Sequence, residues 1–233
     1  MSLNNPNSAP SRFTRWLIHF VLNTVANVTV IGDEKVPRDG SFIIAANHIG
    51  RLDAVLIYQF SDREDVILFV AEKYRKVPFI PWFAKHLNAI WIDRFNADFA
   101  ALREALARLK NGGVMVLAPE GTRSPSASLQ KAKPGVSFLA MKAGVQIFPV
   151  SLVGSEDSYV VSQLKRFRRA NITIRVGDPF ILPPVSGKDR DAALDRYTDE
   201  IMCQIGALLP PAYRGVYAEH PRLAELLAEK PFD

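Results

Sequence analysis

Cysteine is nearly absent from this chain: Cys203 stands alone among 233 residues. No disulfide within the chain can form, and no cysteine cluster can bind a metal. A long apolar run is also missing. The longest uncharged stretch, Trp16 to Gly32, is broken by His19, Asn23, Thr24, Asn27 and Thr29, whereas a membrane-spanning helix needs roughly 20 mostly apolar residues. The start, MSLNNPNSAP, is polar and lacks the apolar core of a secretory signal. These absences together predict a cytoplasmic protein. The triplets Asn27-Val28-Thr29 and Asn171-Ile172-Thr173 then read as strand sequence rather than as glycosylation sites. There is no G-x-S-x-G nucleophile elbow, no clustered metal-ligand set and no internal repeat.

What is present is the composition of an ordered globular protein, 48% hydrophobic and 23% charged. A net charge of +5 favours anionic partners: phosphorylated metabolites, anionic lipid surfaces or nucleic acid. No nucleic-acid recognition motif accompanies that charge.

From Phe13, apolar residues recur at Trp16, Leu17, Phe20 and Val21, the spacing of one helix face, with Arg12, Arg15 and His19 on the other side. Such a helix can pack on its own domain, lie in a membrane interface, or do both. Strand and helix signals then alternate. Strands are expected at 28–31, 42–46, 66–70, 89–92, 114–118, 147–152 and 172–176, and helices at 52–60, 77–86, 97–111, 136–143 and 190–208. The alternation predicts a single α/β domain with a largely parallel mixed sheet flanked by helices. Residues 1–25 form a polar start and amphipathic helix, 26–209 the main domain, and 210–233 a short appendage on the surface. Ser124–Lys133 reads as a mobile loop.

In such sheets, binding residues gather beyond the carboxyl ends of strands. His48, Arg94 and Glu120 each follow a predicted strand. The stretch NHIGRLD places Asp53 five positions after His48, about 500° around a regular helix, so the two meet only if His48 lies in a loop and Asp53 in the first helical turn. Neutral imidazole accepts a proton near physiological pH, and a carboxylate on its other nitrogen stabilises the imidazolium. Alone, the spacing fits a polar turn as well. Pro119-Glu120-Gly121-Thr122-Arg123-Ser124 offers backbone N–H groups, a guanidinium and hydroxyls to a phosphate, and alone it also fits a surface turn. Trp91-Ile92-Asp93-Arg94 is an ordinary strand end by itself. Lys165-Arg166-Phe167-Arg168-Arg169 suits lipid headgroups, an acidic carrier protein, coenzyme A phosphates or plain solvent.

Taken in order, NHxxxxD, the Ile-Asp-Arg strand end, PEGTRS and Phe148-Pro149-Val150 resemble the glycerophospholipid acyltransferases, whose members include 1-acylglycerol-3-phosphate acyltransferases. The resemblance covers roughly residues 12–180. It implies that His48 is the catalytic base and Asp53 its orienting partner. It implies that Arg94 and Arg123 bind the acceptor phosphate, with Glu120, Gly121 and Thr122 shaping the pocket. It implies no metal and no cofactor, the acyl donor being a coenzyme A or acyl carrier protein thioester. The expected reaction forms phosphatidic acid on the cytoplasmic face of an anionic membrane. Other lysolipids or polar-lipid head groups as acceptor, and a silent lipid-binding relative, are the alternatives. Gly50, Trp91 and Ala118 depart from the family pattern, which commonly has serine, phenylalanine and phenylalanine there. Lys73 and Lys76 are left outside the expected site.

Overall fold

The computed structural model describes residues 9–60, 63, 65–94, 96, 98–185, 189–230 and 232, without the side chains of 9–15, 59 and 60. The polar start and the Phe13, Arg12 and Arg15 side chains of the sequence reading lie outside this set. Seven strands, β1 (Ala26–Ile31), β2 (Phe42–Ala46), β3 (Val66–Ala71), β4 (Ile90–Ile92), β5 (Val114–Leu117), β6 (Gln146–Val153) and β7 (Ala170–Val176), form one sheet in the order β1-β7-β6-β2-β5-β3-β4. All neighbours are parallel except β6 and β7. Strands β2 to β6 therefore end on one edge of the sheet, and β7 and β1 begin there.

Helices α1 (Ala9–Val25), α2 (Asp53–Phe60), α3 (Ile80–His86), α4 (Phe99–Lys110), α5 (Gly135–Ala143), α6 (Asp157–Lys165), α7 (Arg190–Ala207) and α8 (Pro221–Glu229) cover the sheet. Alternation along β2 explains its unbroken apolar sequence. Ile43 and Ala45 enter one core, shared with α4, α5, α7 and α8, while Phe42, Ile44 and Ala46 enter the other, shared with α1, α2 and α6. Phe42 and Phe148 meet edge to face with centroids 5.2 Å apart in the second core. None of the described helices is long and apolar enough to cross a membrane.

Two segments differ from the sequence reading. Residues 210–233 are not merely surface: Tyr217, Leu223 and Leu226 are buried in the first core. The segment 124–133 is anchored rather than mobile. Leu129 is buried, its N–H donates to Tyr213 C=O at 2.9 Å, and its own C=O accepts from Val216 N–H at 3.1 Å. Both changes share one cause, since the C-terminal segment supplies the hydrogen-bond partners that fix the loop.

Candidate active site

The strand ends place the site on the edge where β2 to β6 finish. Asn47 leaves β2 and clamps β6: its amide donates to Leu152 C=O at 2.9 Å and accepts from Leu152 N–H at 2.7 Å. His48 follows in the loop, and Asp53 is the first residue of α2, where the N-terminal end of a helix favours negative charge. The carboxylate curls back, and His48 Nδ1 lies 2.8 Å from Asp53 Oδ2.

The same oxygen accepts the N–H groups of Ile49 and Gly50 at 2.7 and 2.8 Å, and the Ser155 hydroxyl donates to Oδ1 at 2.5 Å. Asp53 is only 2% exposed. Donors on both oxygens suit an acceptor-only carboxylate, and they make the Nδ1–H tautomer of His48 the matching one. The Nε2 lone pair is then available to take a proton. The two residues meet without sharing a helix face, because the loop turns tightly at Gly50.

Gly50 has a packing reason. A Cβ there would lie 1.8 Å from Ser155 O. The serine common in the resembling family cannot enter this backbone unchanged, and the hydroxyl beside Asp53 comes from Ser155. Gly50→Ala should therefore destabilise the fold by about 1–3 kcal/mol, or roughly 2–12 °C in Tm for a chain of this size. Thermal unfolding followed by circular dichroism checks it; an unchanged Tm would mean that the Ser155 backbone yields easily.

Beyond β5, the chain turns through Ala118–Gly121, with Gly121 N–H donating to Ala118 C=O at 3.0 Å and Gly121 at φ 68°, a conformation that favours glycine. Glu120 is buried. One carboxyl oxygen accepts His48 N–H and the other Gln130 N–H, each at 3.0 Å. Burial raises its pKa above the usual carboxylate value, against the opposing pull of those two N–H groups. Glu120 thus ties the histidine loop to the anchored segment 124–133.

A cleft of about 250 Å³ opens between the ends of β3 and β4 and this turn. Arg94, Glu120, Gly121 and Thr122 line it, together with Lys73 and Lys133. Arg94 Nη1 donates to Gly121 C=O at 2.8 Å, and Lys133 Nζ donates to Arg94 C=O at 3.0 Å. Asp98 holds the loop behind Arg94, accepting Asp93 N–H at 3.1 Å and Ala101 N–H at 3.0 Å. Arg123 points elsewhere: its Nη1 pairs with Asp157 Oδ2 at 2.7 Å, outside the residues that line the cleft. Asp157 also accepts Arg51 N–H at 2.8 Å.

Sequence reasoning missed Asn47, Ser155 and Lys133, and it left Lys73 aside. Ser155 follows the carboxyl end of β6, so the same strand-end rule that selected His48 applies to it. Cys203 is fully buried on α7, and burial pushes its thiol up to about 12, far from a thiolate nucleophile at neutral pH. Among the described residues, no group of three or more His, Cys, Asp and Glu side chains comes together as a metal-binding set.

Residues 27–153 match the family model described as Acyltransferase. The chain belongs to that family. It is 27% identical over 220 residues to a 1-acyl-sn-glycerol-3-phosphate acyltransferase of Chlamydomonas reinhardtii, covering 89% of this chain and 63% of that one. It is 26% identical over 136 residues to the Borreliella burgdorferi protein of the same name, covering 57% and 54%. The chain thus spans less than two thirds of the length of these relatives. A crystal structure of the 1-acyl-sn-glycerophosphate acyltransferase PlsC from Thermotoga maritima superimposes with a TM-score of 0.60 at 27% identity, covering 82% of this chain and 75% of that one.

Proposed function

We propose that this protein transfers a fatty acyl group from a coenzyme A or acyl carrier protein thioester to the free hydroxyl of 1-acylglycerol 3-phosphate, forming phosphatidic acid. The observation that carries this reading is the His48–Asp53 contact of 2.8 Å on the edge that also bears the Arg94 cleft. The acceptor hydroxyl gives its proton to His48 Nε2 as its oxygen attacks the thioester carbonyl. Asp53 stabilises the imidazolium that forms. The tetrahedral intermediate collapses by breaking the carbon–sulfur bond, and the imidazolium returns the proton to the departing thiolate. No covalent acyl-enzyme, metal or cofactor enters this sequence. Arg94, Lys73 and Lys133 supply positive charge for the acceptor phosphate, on a cleft that Glu72 and Asp93 also line. The names of the relatives favour this acceptor over other lysolipids. Thiol release from acyl-CoA and acyl carrier protein, measured against a panel of lysolipids, tests the reading; release without any lysolipid preference would reject it.

The acceptor is a lipid, so the protein acts at a membrane, which we place on the cytoplasmic side. Helix α1 packs on the domain through Ile18 and Leu22 rather than through the Trp16, Leu17, Phe20 and Val21 face that its spacing marks. Ile18 and Leu22 are buried in the domain, while Trp16 and Phe20, each 58% exposed, stack with centroids 5.6 Å apart on the outside. Deleting residues 1–24 would remove core side chains with the membrane face, so the outer pair is the cleaner target. Trp16→Ser/Phe20→Ser should lower binding to anionic liposomes about tenfold or more, the scale expected for burying such side chains, without unfolding the protein. Co-sedimentation equal to that of the unmodified protein would reject a membrane role for this face.

A further inference from the structure

The C-terminal end of α6 presents Val161, Leu164 and Phe167 to solvent at helical spacing, with Phe167 100% exposed. Only Val160 of this helix is buried. Lys165, Arg166, Arg168 and Arg169 flank Phe167 in sequence, all four exposed, and among the described residues none is paired with an acid. The backbone here closes the helix in a paired hydrogen-bond motif: Arg168 N–H donates to Gln163 C=O at 2.9 Å, and Phe167 N–H donates to Leu164 C=O at 3.0 Å. Phe167 has φ 56°, the left-handed position that glycine fills at little cost and a side chain with a Cβ does not. Phenylalanine therefore gives this turn nothing structural that glycine would not give better, while it holds a large apolar ring out in water.

The location connects this surface to α1 and to the site. Arg169 leads into Ala170, which pairs with Ala26, the residue that follows α1. The ends of α1 and α6 thus enter neighbouring strands side by side. Because β7 is antiparallel to β6, the Phe167 turn sits on the edge where β2 and β6 end, the edge that carries His48.

We propose that the end of α6 is a second lipid-contacting wedge. Phe167 inserts at the headgroup–acyl boundary of an anionic bilayer, Leu164 and Val161 follow it, and the four cations meet lipid phosphates. The strong positive charge selects an anionic surface, and α1 and α6 both lead into strands that begin on this one edge. The inference rests on the proposed lipid substrate for its purpose, though not for its test.

The test uses the full chain with vesicles of phosphatidylcholine mixed with phosphatidylglycerol, and with phosphatidylcholine alone. Phe167→Gly should raise Tm by about 2–4 °C, because left-handed strain is relieved, and yet lower vesicle affinity about tenfold. Thiol release with a monodisperse short-chain lysolipid should stay unchanged. Replacing the four basic residues by glutamine should abolish the preference for anionic vesicles. Three results would overturn the wedge: vesicle affinity unaltered in Phe167→Gly, equal loss of thiol release with the monodisperse acceptor, or intact vesicle binding with a raised KM for the acyl carrier protein thioester, which would assign the surface to an acidic protein. Vesicle binding needs no turnover. A protein that fails every thiol-release assay but loses binding in Phe167→Gly would reject the proposed reaction and still sustain the wedge.

Discussion

His48→Ala should fold normally and release thiol from acyl-CoA at least a hundredfold more slowly than the unmodified protein, since general-base catalysis is typically worth about 10²–10⁴-fold. The side chain lies in a loop and is only partly buried, so its removal leaves the two cores intact. Asp53→Asn should lose less, though still a large part of the rate. An asparagine oxygen can keep the contacts with His48, Ile49 and Gly50, and its amide can donate to the Ser155 hydroxyl, so the shape survives. What disappears is the negative charge that stabilises the imidazolium. The double variant should be little slower than His48→Ala, because an orienting group has nothing left to orient. Single-turnover kinetics combined with circular dichroism checks all three. Near-normal turnover in His48→Ala, or loss of activity only through unfolding, would return NHIGRLD to the status of a polar turn.

Arg94→Ala should raise the apparent KM for a phosphate-bearing acceptor by roughly 10- to 150-fold, the range expected when a charge-assisted hydrogen bond worth about 1.5–3 kcal/mol is lost. The rate at saturating acceptor should change little. The geometry separates this residue from Arg123, to which the family resemblance assigns the same task. Arg94 lines the cleft, whereas Arg123 is held by Asp157. Arg123→Ala should therefore raise KM by much less than Arg94→Ala. Steady-state kinetics with matched phosphate-bearing and phosphate-free acceptors decides between them. A larger effect at Arg123 would show that its pairing with Asp157 gives way to substrate.

The strands were legible because each is a short apolar run bounded by turn residues, and β2 was located to the residue. Helix α3 starts later than its apolar spacing suggests, because Phe79 takes a left-handed conformation and Pro81 lies in the first turn. Helix α6 escaped notice since it is short and buries only Val160, while its other apolar residues, Val161 and Leu164, face solvent. The reversal of β7 follows from a pairing choice that local pattern does not encode. At the site, His48 and Asp53 were visible because one loop carries both. Ser155 was not, since its hydroxyl reaches Asp53 across 102 positions of sequence. Lys133 was hidden in a segment whose polar composition suggests mobility, although its order comes from residues 213–217.

The pairing of β1 with β7 has a consequence for the order of events during synthesis. Asn27 and Asn171, opposite each other in that pair, are 144 positions apart. At the usual pace of translation, 5–20 residues per second, β1 waits on the order of 10 s for β7, its one sheet neighbour among the described residues. For most of that interval α1 is outside the ribosome with its strand unpaired, although α2 and α3, against which it packs, are made well before β7. On the proposed membrane role, the α1 face that would meet a bilayer is therefore made well before the edge that carries His48 is complete, and contact with lipid would precede completion of the fold.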